Sequence, residues 1–481
     1  MSGIFTIGEK KVRPGVYYRR ENYGNVETVG ATNGVAAALF QCDWGPLNEE
    51  FDMDVTMQNS VADYYGTATG TKLIKELYKG GATTIRAIRI GSDDGAASSI
   101  ELMNAPETGD PAKAVTLTAA YPGARSFTVS VRTNLITDRR QLIIYDGVDI
   151  FEQFDFEAGE NEPANLVAAV ASSKNFVAKA ADGVKGPLAT ITQKEMTGGK
   201  NPTVTTASYE KGTDVLERYK WNCIVADTDD IAVQILLQNF VVQSYQTGHL
   251  GFACLCGNSS QDLKERMTTA ASYNDEKIVY VLNGWVGSDG TRYDGWLAAA
   301  RIGGMVAAFE ANTSITHNVI TNAVSLTEPL TNGEIIRAET KGCLVLSVND
   351  DDQVWIDSAI TSLVTPDATM DEGWKKIRRT KTRFELMDRV DSTCEKLVGN
   401  VNNDTDGRQT IMAAAQKVIN TMASEKKLLA TSYIYEDPGN PAEGDSAWFR
   451  LAIDDIDSAE KIYMTYMFRF APETDTTAAA S

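Results

Sequence analysis

Apolar and polar positions follow two different rhythms along this chain, and the rhythm changes at a few turn-rich joints. An apolar run at 35–40, the turn Trp44-Gly45-Pro46, a helix-periodic segment at 62–78, the stop Gly80-Gly81 and the run Ile85-Arg86-Ala87-Ile88-Arg89-Ile90 predict strand, helix, strand. Beyond Gly91-Ser92-Asp93-Asp94-Gly95 the period falls to two: Val115 and Leu117, then Phe127, Val129 and Val131, then Leu142 and Ile144, broken by Pro122-Gly123 and Asp146-Gly147. That pattern predicts a mainly β insertion at 95–190.

After Gly198-Gly199-Lys200-Asn201-Pro202 the mixed rhythm returns. Helices are expected over 209–219, 231–246 and 262–272, and buried strands at Cys223-Ile224-Val225-Ala226, at 250–255 and at 277–282. Strand and helix in turn favour a mixed α/β layer with parallel strands. An Ala- and Gly-rich helix at 295–310, with small side chains that permit close packing, completes this half.

Past Asp350 the texture becomes α+β, with helical candidates at 355–363, 383–399 and 409–429. The last element, 460–470, places Ile462, Met464, Tyr466, Phe468 and Phe470 on one face of an extended strand, with Tyr463 on the other. The first 20 residues read as an extended arm: Ile4, Phe5 and Ile7 are β-prone, and a Pro-Gly turn precedes Val16 and Tyr17. The polar residues 471–481 are expected to be a disordered tail.

Composition narrows the function. The 65 acidic and 45 basic residues give a formal charge of −20, which repels phosphate backbones and anionic membranes. No apolar stretch approaches the roughly 20 residues of a membrane span, and no secretory signal opens the chain. Neither nucleic acid nor a membrane is expected as a partner. Six cysteines set mostly in apolar runs read as reduced, buried thiols.

The motifs that carry chemistry all fail on inspection. His249 and His317 have no neighbouring ligand residues, Cys254-x-Cys256 is too tight for a zinc knuckle, and Gly444-Asp445-Ser446-Ala447-Trp448 lacks the second glycine of a nucleophile elbow. Asn402-x-Asp404-x-Asp406-Gly407 starts like a calcium loop, but Ala413 stands where a bidentate carboxylate is needed, so a capped helix start is expected. Asp350-Asp351-Asp352 and the pairs Asp93-Asp94, Asp229-Asp230 and Asp454-Asp455 read as turns and helix starts. No phosphate-cradling loop follows any strand. Catalytic, cofactor and metal residues are therefore none. One feature stands out: Lys375, Lys376, Arg378, Arg379, Lys381 and Arg383 form a basic run in an acidic chain. Such a run either pairs with the chain's own carboxylates or faces an acidic partner.

Several segments together resemble contractile phage tail sheath proteins, of the type found in phages and phage-like elements of Gram-positive bacteria. These are Arg13-Pro14-Gly15-Val16-Tyr17, Leu77-Tyr78-Lys79-Gly80-Gly81, Thr197-Gly198-Gly199-Lys200-Asn201-Pro202 and Ala300-Arg301-Ile302-Gly303-Gly304-Met305. Stronger are Val398-Gly399-Asn400-Val401-Asn402-Asn403-Asp404-Thr405-Asp406-Gly407-Arg408 and Asp457-Ser458-Ala459-Glu460-Lys461-Ile462-Tyr463-Met464-Thr465. Tyr121-Pro122-Gly123-Ala124-Arg125 is similar to the family's start of the insertion, although Ser126-Phe127 replace its Gly-Asn.

The resemblance implies a non-enzymatic subunit that polymerises as stacked hexameric rings around an inner tail tube protein and contracts to drive that tube through an envelope. It implies baseplate and tail terminator partners, assembly in the bacterial cytoplasm, and terminal arms that add strands to neighbouring subunits. The expected organisation is an N-terminal arm (1–20), a central α/β domain in two parts (21–94 and 191–350), the β insertion (95–190), an α+β domain (351–459) and a C-terminal arm and tail (460–481). Hinges are expected at 21–30 and 454–460, and the basic run is the candidate contact with the tube or a neighbouring sheath subunit. The competing readings are an α/β hydrolase or dehydrogenase without recognisable motifs, and a lectin-like binding protein.

Overall fold

A computed structural model describes residues 2–4, 16–18, 33–258, 260–368 and 370–469. Its centre is a seven-stranded sheet in the order Cys343–Leu344, Ile278–Val281, Phe252–Cys256, Cys223–Ala226, Val35–Phe40, Thr84–Arg89, Glu50–Asp54. All neighbours run parallel except the last, which is antiparallel to Thr84–Arg89. A parallel sheet must be covered on both faces, and here alternate residues of each strand enter two separate cores. Ala36, Ala38 and Phe40 face the helices Thr71–Gly80 and Trp296–Ala308. Val35, Ala37 and Leu39 face Thr206–Leu216, Ile231–Gln246, Leu263–Tyr273 and Asn332–Thr340.

The two edges of this sheet are short or charged. Glu50, Asp52 and Asp54 alternate along one edge strand, with Arg86 beside them binding Glu50 and Asp52 at 2.7 Å each. The other edge strand has two residues.

The helices Thr71–Gly80 and Trp296–Ala308 approach so closely that only glycine fits at their crossing. A Cβ on Gly304 would lie 2.2 Å from the Leu77 carbonyl oxygen, and one on Gly80 would lie 2.3 Å from that of Arg301. The small residues of the second helix thus set the distance between the two covers of one sheet face.

The β insertion leaves the sheet through a narrow neck, where Ala96 and Lys200 exchange backbone hydrogen bonds of 3.0 and 2.9 Å. It holds a four-stranded sheet, Asp149–Phe156, Arg140–Asp146, Phe127–Thr133, Ile191–Glu195, and a three-stranded one, Phe176–Ala180, Lys113–Ala119, Ser99–Met103. Its final strand lies past the expected limit of 190, because Ile191 pairs with Val131. That strand is mostly exposed and shows no apolar alternation. Trp44, from the central domain, is buried in the insertion's core against Phe127 and Phe176.

Three expectations are corrected. The single periodic helix at 62–78 is two helices, Val61–Tyr65 and Thr71–Gly80, separated by Gly66 at φ 74° and a loop to Gly70. The helix expected at 355–363 is instead the strand Val354–Ile356, paired with Leu346–Val348, followed by irregular chain. The helix expected at 383–399 begins earlier and runs Ile377–Cys394, which places most of the basic run inside it. Its Ile377 and Phe384 join the central core, so this part of the carboxyl-terminal half is seated on the α/β domain. The rest forms a small core with Thr405–Ser424 and the hairpin Tyr433–Glu436, Phe449–Ala452.

Candidate assembly interface

The carboxyl-terminal arm leaves the body in three stages. Up to Ile456 it is held by backbone: Leu429 N–H donates to the Asp454 carbonyl and Ile456 N–H to the Lys427 carbonyl, at 2.8 and 3.2 Å. From 457 to 460 it is held by side chains. Beyond that, residues 461–469 are all exposed and form no strand. Ile462 is 70% exposed, Met464 69%, Tyr466 74% and Phe468 92%, while Tyr463 and Met467 on the alternate positions reach 90% and 92%. The strand expected at 460–470 is therefore not made within the chain, for these residues have no sheet to join among the described residues. Phe470 lies outside the described residues.

At the other terminus, Ser2–Ile4 and Val16–Tyr18 pair in parallel, with Ile4 opposite Tyr18 and Val16 and Tyr17 in the second strand. Phe5, Ile7 and the expected hinge at 21–30 lie outside the described residues.

The basic run is corrected most. Arg378 and Lys381 are 4% exposed, which removes them from any outer surface. Arg378 donates to the Ala311 and Asn312 carbonyls at 3.3 and 3.2 Å. Lys381 donates to the Val306 and Ala307 carbonyls, both at 2.9 Å, and so, with Gly34 N–H on Ala307, supplies donors to the C-terminal end of the Trp296–Ala308 helix, where carbonyls lack intrahelical partners. Burial pushes the Lys381 ammonium down to about 7. Arg383 binds Glu276 at 2.8 Å and stacks on Trp374. Lys375 is half-buried, and its carbonyl accepts from Thr361 N–H at 2.7 Å.

The remaining two cations of the run hold the arm's base. Arg379 grips Asp455 with two nitrogens, at 2.7 and 2.8 Å, and also binds Asp371 at 2.7 Å. The Asp455 bond, more than any other contact, drives the Arg379 guanidinium above its usual range. Lys376 binds Asp457 at 2.8 Å and Glu460 at 3.0 Å. Glu460 also accepts from the Ser314, Thr316 and Ser458 hydroxyls. Burial alone would raise the Glu460 carboxyl, but Lys376 and these hydroxyls outweigh it and hold it low. The expected hinge at 454–460 is thus a clamped segment, because its carboxylates meet the cations of the helix Ile377–Cys394 and its start. Sequence reading noted both charge groups but not that they belong together; their opposite signs were the available signal.

Beside this lies Glu339, whose carboxyl burial, and then Asp357, push up to about 7, with Lys375 and Lys461 acting in the opposite direction. Elsewhere, groups singled out for chemistry serve packing. Cys254 and Cys256 share one strand face in the core; burial, then Cys223, raises the Cys254 thiol far above its usual range. His317 stacks on Trp355 at 3.8 Å, and Asp404 caps its helix by accepting from Gly407 N–H at 2.8 Å. Asp227 sits beyond the strand ends where the sheet order reverses, the usual ligand crevice of doubly wound folds. Its carboxylate accepts from Gln41 N–H and the Tyr209 hydroxyl at 2.8 and 2.7 Å. Among the described residues no helix is long and apolar enough to cross a membrane.

The architecture is one already seen in contractile machines. The sheath tail protein from Desulfitobacterium hafniense superposes with a TM-score of 0.71 at 17% identity, covering 92% of this chain and 100% of that one. The helical sheath of the anti-feeding prophage in its contracted state gives 0.54 at 10% identity, covering 95% and 99%. The chain has the sheath-protein fold. More particularly, residues 203–362 match the family model of the phage tail sheath protein central domain. An uncharacterized protein of Bacillus subtilis strain 168, YqbK, is 21% identical over 96% of this chain and 98% of its own length.

Proposed function

We propose that this chain is a structural subunit of a contractile tail sheath, polymerising around an inner tube and shortening to drive that tube through a target envelope. The observation that carries the reading is an exposed apolar arm, 461–469, leaving a body that has the sheath fold and matches the family model of the sheath central domain. A strand with apolar side chains and no sheet of its own is unstable alone; an open edge on another copy satisfies both its backbone and its side chains. The hairpin Tyr433–Glu436, Phe449–Ala452 is such an acceptor: it has two strands only, and Tyr433 and Leu451 are exposed on it. The amino-terminal strands with Ile4, Val16 and Tyr17 are the second donor. Rings of six, an inner tube protein, a baseplate and a tail terminator complete the assembly, which forms in the bacterial cytoplasm and ends as part of a tail or tail-like particle. Its fuel is assembly energy, and no catalytic step is assigned to it.

Electron microscopy of the purified chain tests this. Long hollow tubes are expected from the full chain, and compact soluble particles from a chain ending at Glu460. Tubes of normal length and stability from the truncated chain would overturn the donated arm; compact particles from both would overturn the sheath reading.

A further inference from the structure

We infer that Lys376 and Arg379, with Asp455, Asp457 and Glu460, form a clasp that fixes where and in what direction the carboxyl-terminal arm leaves the body, so that the arm pivots from Lys461 onward. The inference rests on the proposed sheath function for its purpose, but not for its geometry. Four observations converge on it.

First, every acidic side chain from 455 to 460 meets a cation of the basic run: Asp455 meets Arg379, and Asp457 and Glu460 meet Lys376. Second, the contact reaches beyond one helix. Glu460 also accepts from Ser314 and Thr316, and the Thr316 hydroxyl in turn accepts from Ala359 N–H at 3.0 Å. The loop carrying Ser314 and Thr316 is itself pinned by Arg378, through the Ala311 and Asn312 carbonyls. The arm's last fixed residue is thereby tied to the central domain and to the Ile377–Cys394 helix at once.

Third, the boundary is abrupt. Glu460 is held by four partners, whereas from Lys461 to Arg469 every residue is exposed. Fourth, the clasp's cations are less buried than the two that anchor the helix, with side chains 22% and 15% exposed for Lys376 and Arg379 while Arg378 and Lys381 are 4% exposed. Arg378 and Lys381 anchor the helix, and Lys376 and Arg379 hold the arm. An arm that must reach a neighbour's sheet edge gains from a fixed exit, because fewer orientations are lost when it pairs. Rotation of the body is then passed without slack to the arm's base at Glu460.

The test uses the full chain with Cys394→Ser and Tyr463→Cys, the new thiol carrying a fluorophore. Anisotropy of dilute subunits reports arm freedom, and electron microscopy of concentrated samples reports tube order. Lys376→Glu should raise the fast-moving fraction of the label about threefold, a factor fitting two partly exposed ion pairs, and broaden the spread of tube diameters. The neutral Lys376→Gln should lie between it and the parent. Lys376→Glu combined with Asp457→Lys and Glu460→Lys should restore both readings, since the Ser314 and Thr316 hydroxyls can accept as well as donate. Unchanged anisotropy and tube order in Lys376→Glu and Lys376→Gln, with melting intact, would overturn the clasp, as would failure of the triple reversal to rescue a folded chain. If the label responds as expected but the parent forms no tubes, the clasp stands and the sheath reading falls.

Discussion

Arg301 donates to Glu76 through two nitrogens, at 2.6 and 3.0 Å, across a helix crossing that joins residues 225 apart in the chain. Both side chains are buried, at 3% and 2% exposed, and Arg301 also lies over the Trp285 ring. Removing one partner strands a buried charge, which costs more than losing the pair. Glu76→Leu alone should destabilise the unassembled subunit by about 3–5 kcal/mol, and Glu76→Leu combined with Arg301→Met should cost less than either single change. Denaturant unfolding of the four proteins checks this; a double variant worse than both singles would refute it.

The glycines of the same crossing give a contrast in sign. Gly304→Ala would set its Cβ 2.2 Å from a backbone oxygen, so the helices must part, at about 1–3 kcal/mol or more. Gly333→Ala, in the helix Asn332–Thr340 with open space around the new methyl, should instead stabilise by about 0.5–1 kcal/mol. Opposite shifts in melting temperature are expected from the same chemical change.

Glu339 predicts a pH dependence. Its folded-state value of about 7 lies above the ordinary 4.5, so folding takes up a proton between the two. The stability this carboxyl contributes is complete below about pH 4.5 and lost as pH rises through about 7. Between about pH 5 and 8 the melting temperature of the parent should therefore fall relative to that of Glu339→Gln, which keeps a neutral side chain throughout. Parallel profiles for the two proteins would count against this.

The neck of the insertion is narrow enough to close. Joining Ala96 to Lys200 by a short Gly-Ser turn removes 97–199 across a pair already bridged by hydrogen bonds. We propose that the insertion lies on the outer surface of the sheath, so tubes should still form. Trp44→Ser belongs in the same variant, because its indole otherwise loses its cover. Loss of tubes from a chain whose central domain stays folded would place the insertion at an interface.

Much of this architecture is legible in the chain, and the exceptions have physical reasons. The alternating strands of the central sheet announce themselves, as Val35–Phe40 and Cys223–Ala226 do, because burial on both faces leaves continuous apolar runs. The strand Ile191–Glu195 does not, since an exposed strand needs no apolar face. The break after Tyr65 does have a signal, in Gly66 and Gly70 and in a change of phase: on one continuous helix Val61 and Tyr65 would lie opposite Leu73, Ile74 and Leu77. Burial of Arg378 and Lys381 was hidden: the carbonyls that receive them, Ala311, Asn312, Val306 and Ala307, carry no side-chain signature. The clasp joins residues 84 apart, Lys376 and Glu460, and only the fold brings them together.

The acidic edge strand Glu50–Asp54 bears on how such a protein is stored before use. An incoming copy aligned against it would meet Glu50, Asp52 and Asp54 with its own carboxylates, and like charges brought edge to edge repel. Crowded subunits are thus kept from pairing through the longer edge of their largest sheet. On the proposed function, ordering is left to thin terminal strands, whose pairing can wait for a nucleus. On that reading, a large pool of copies can accumulate in advance and be released into one defined object at a chosen moment.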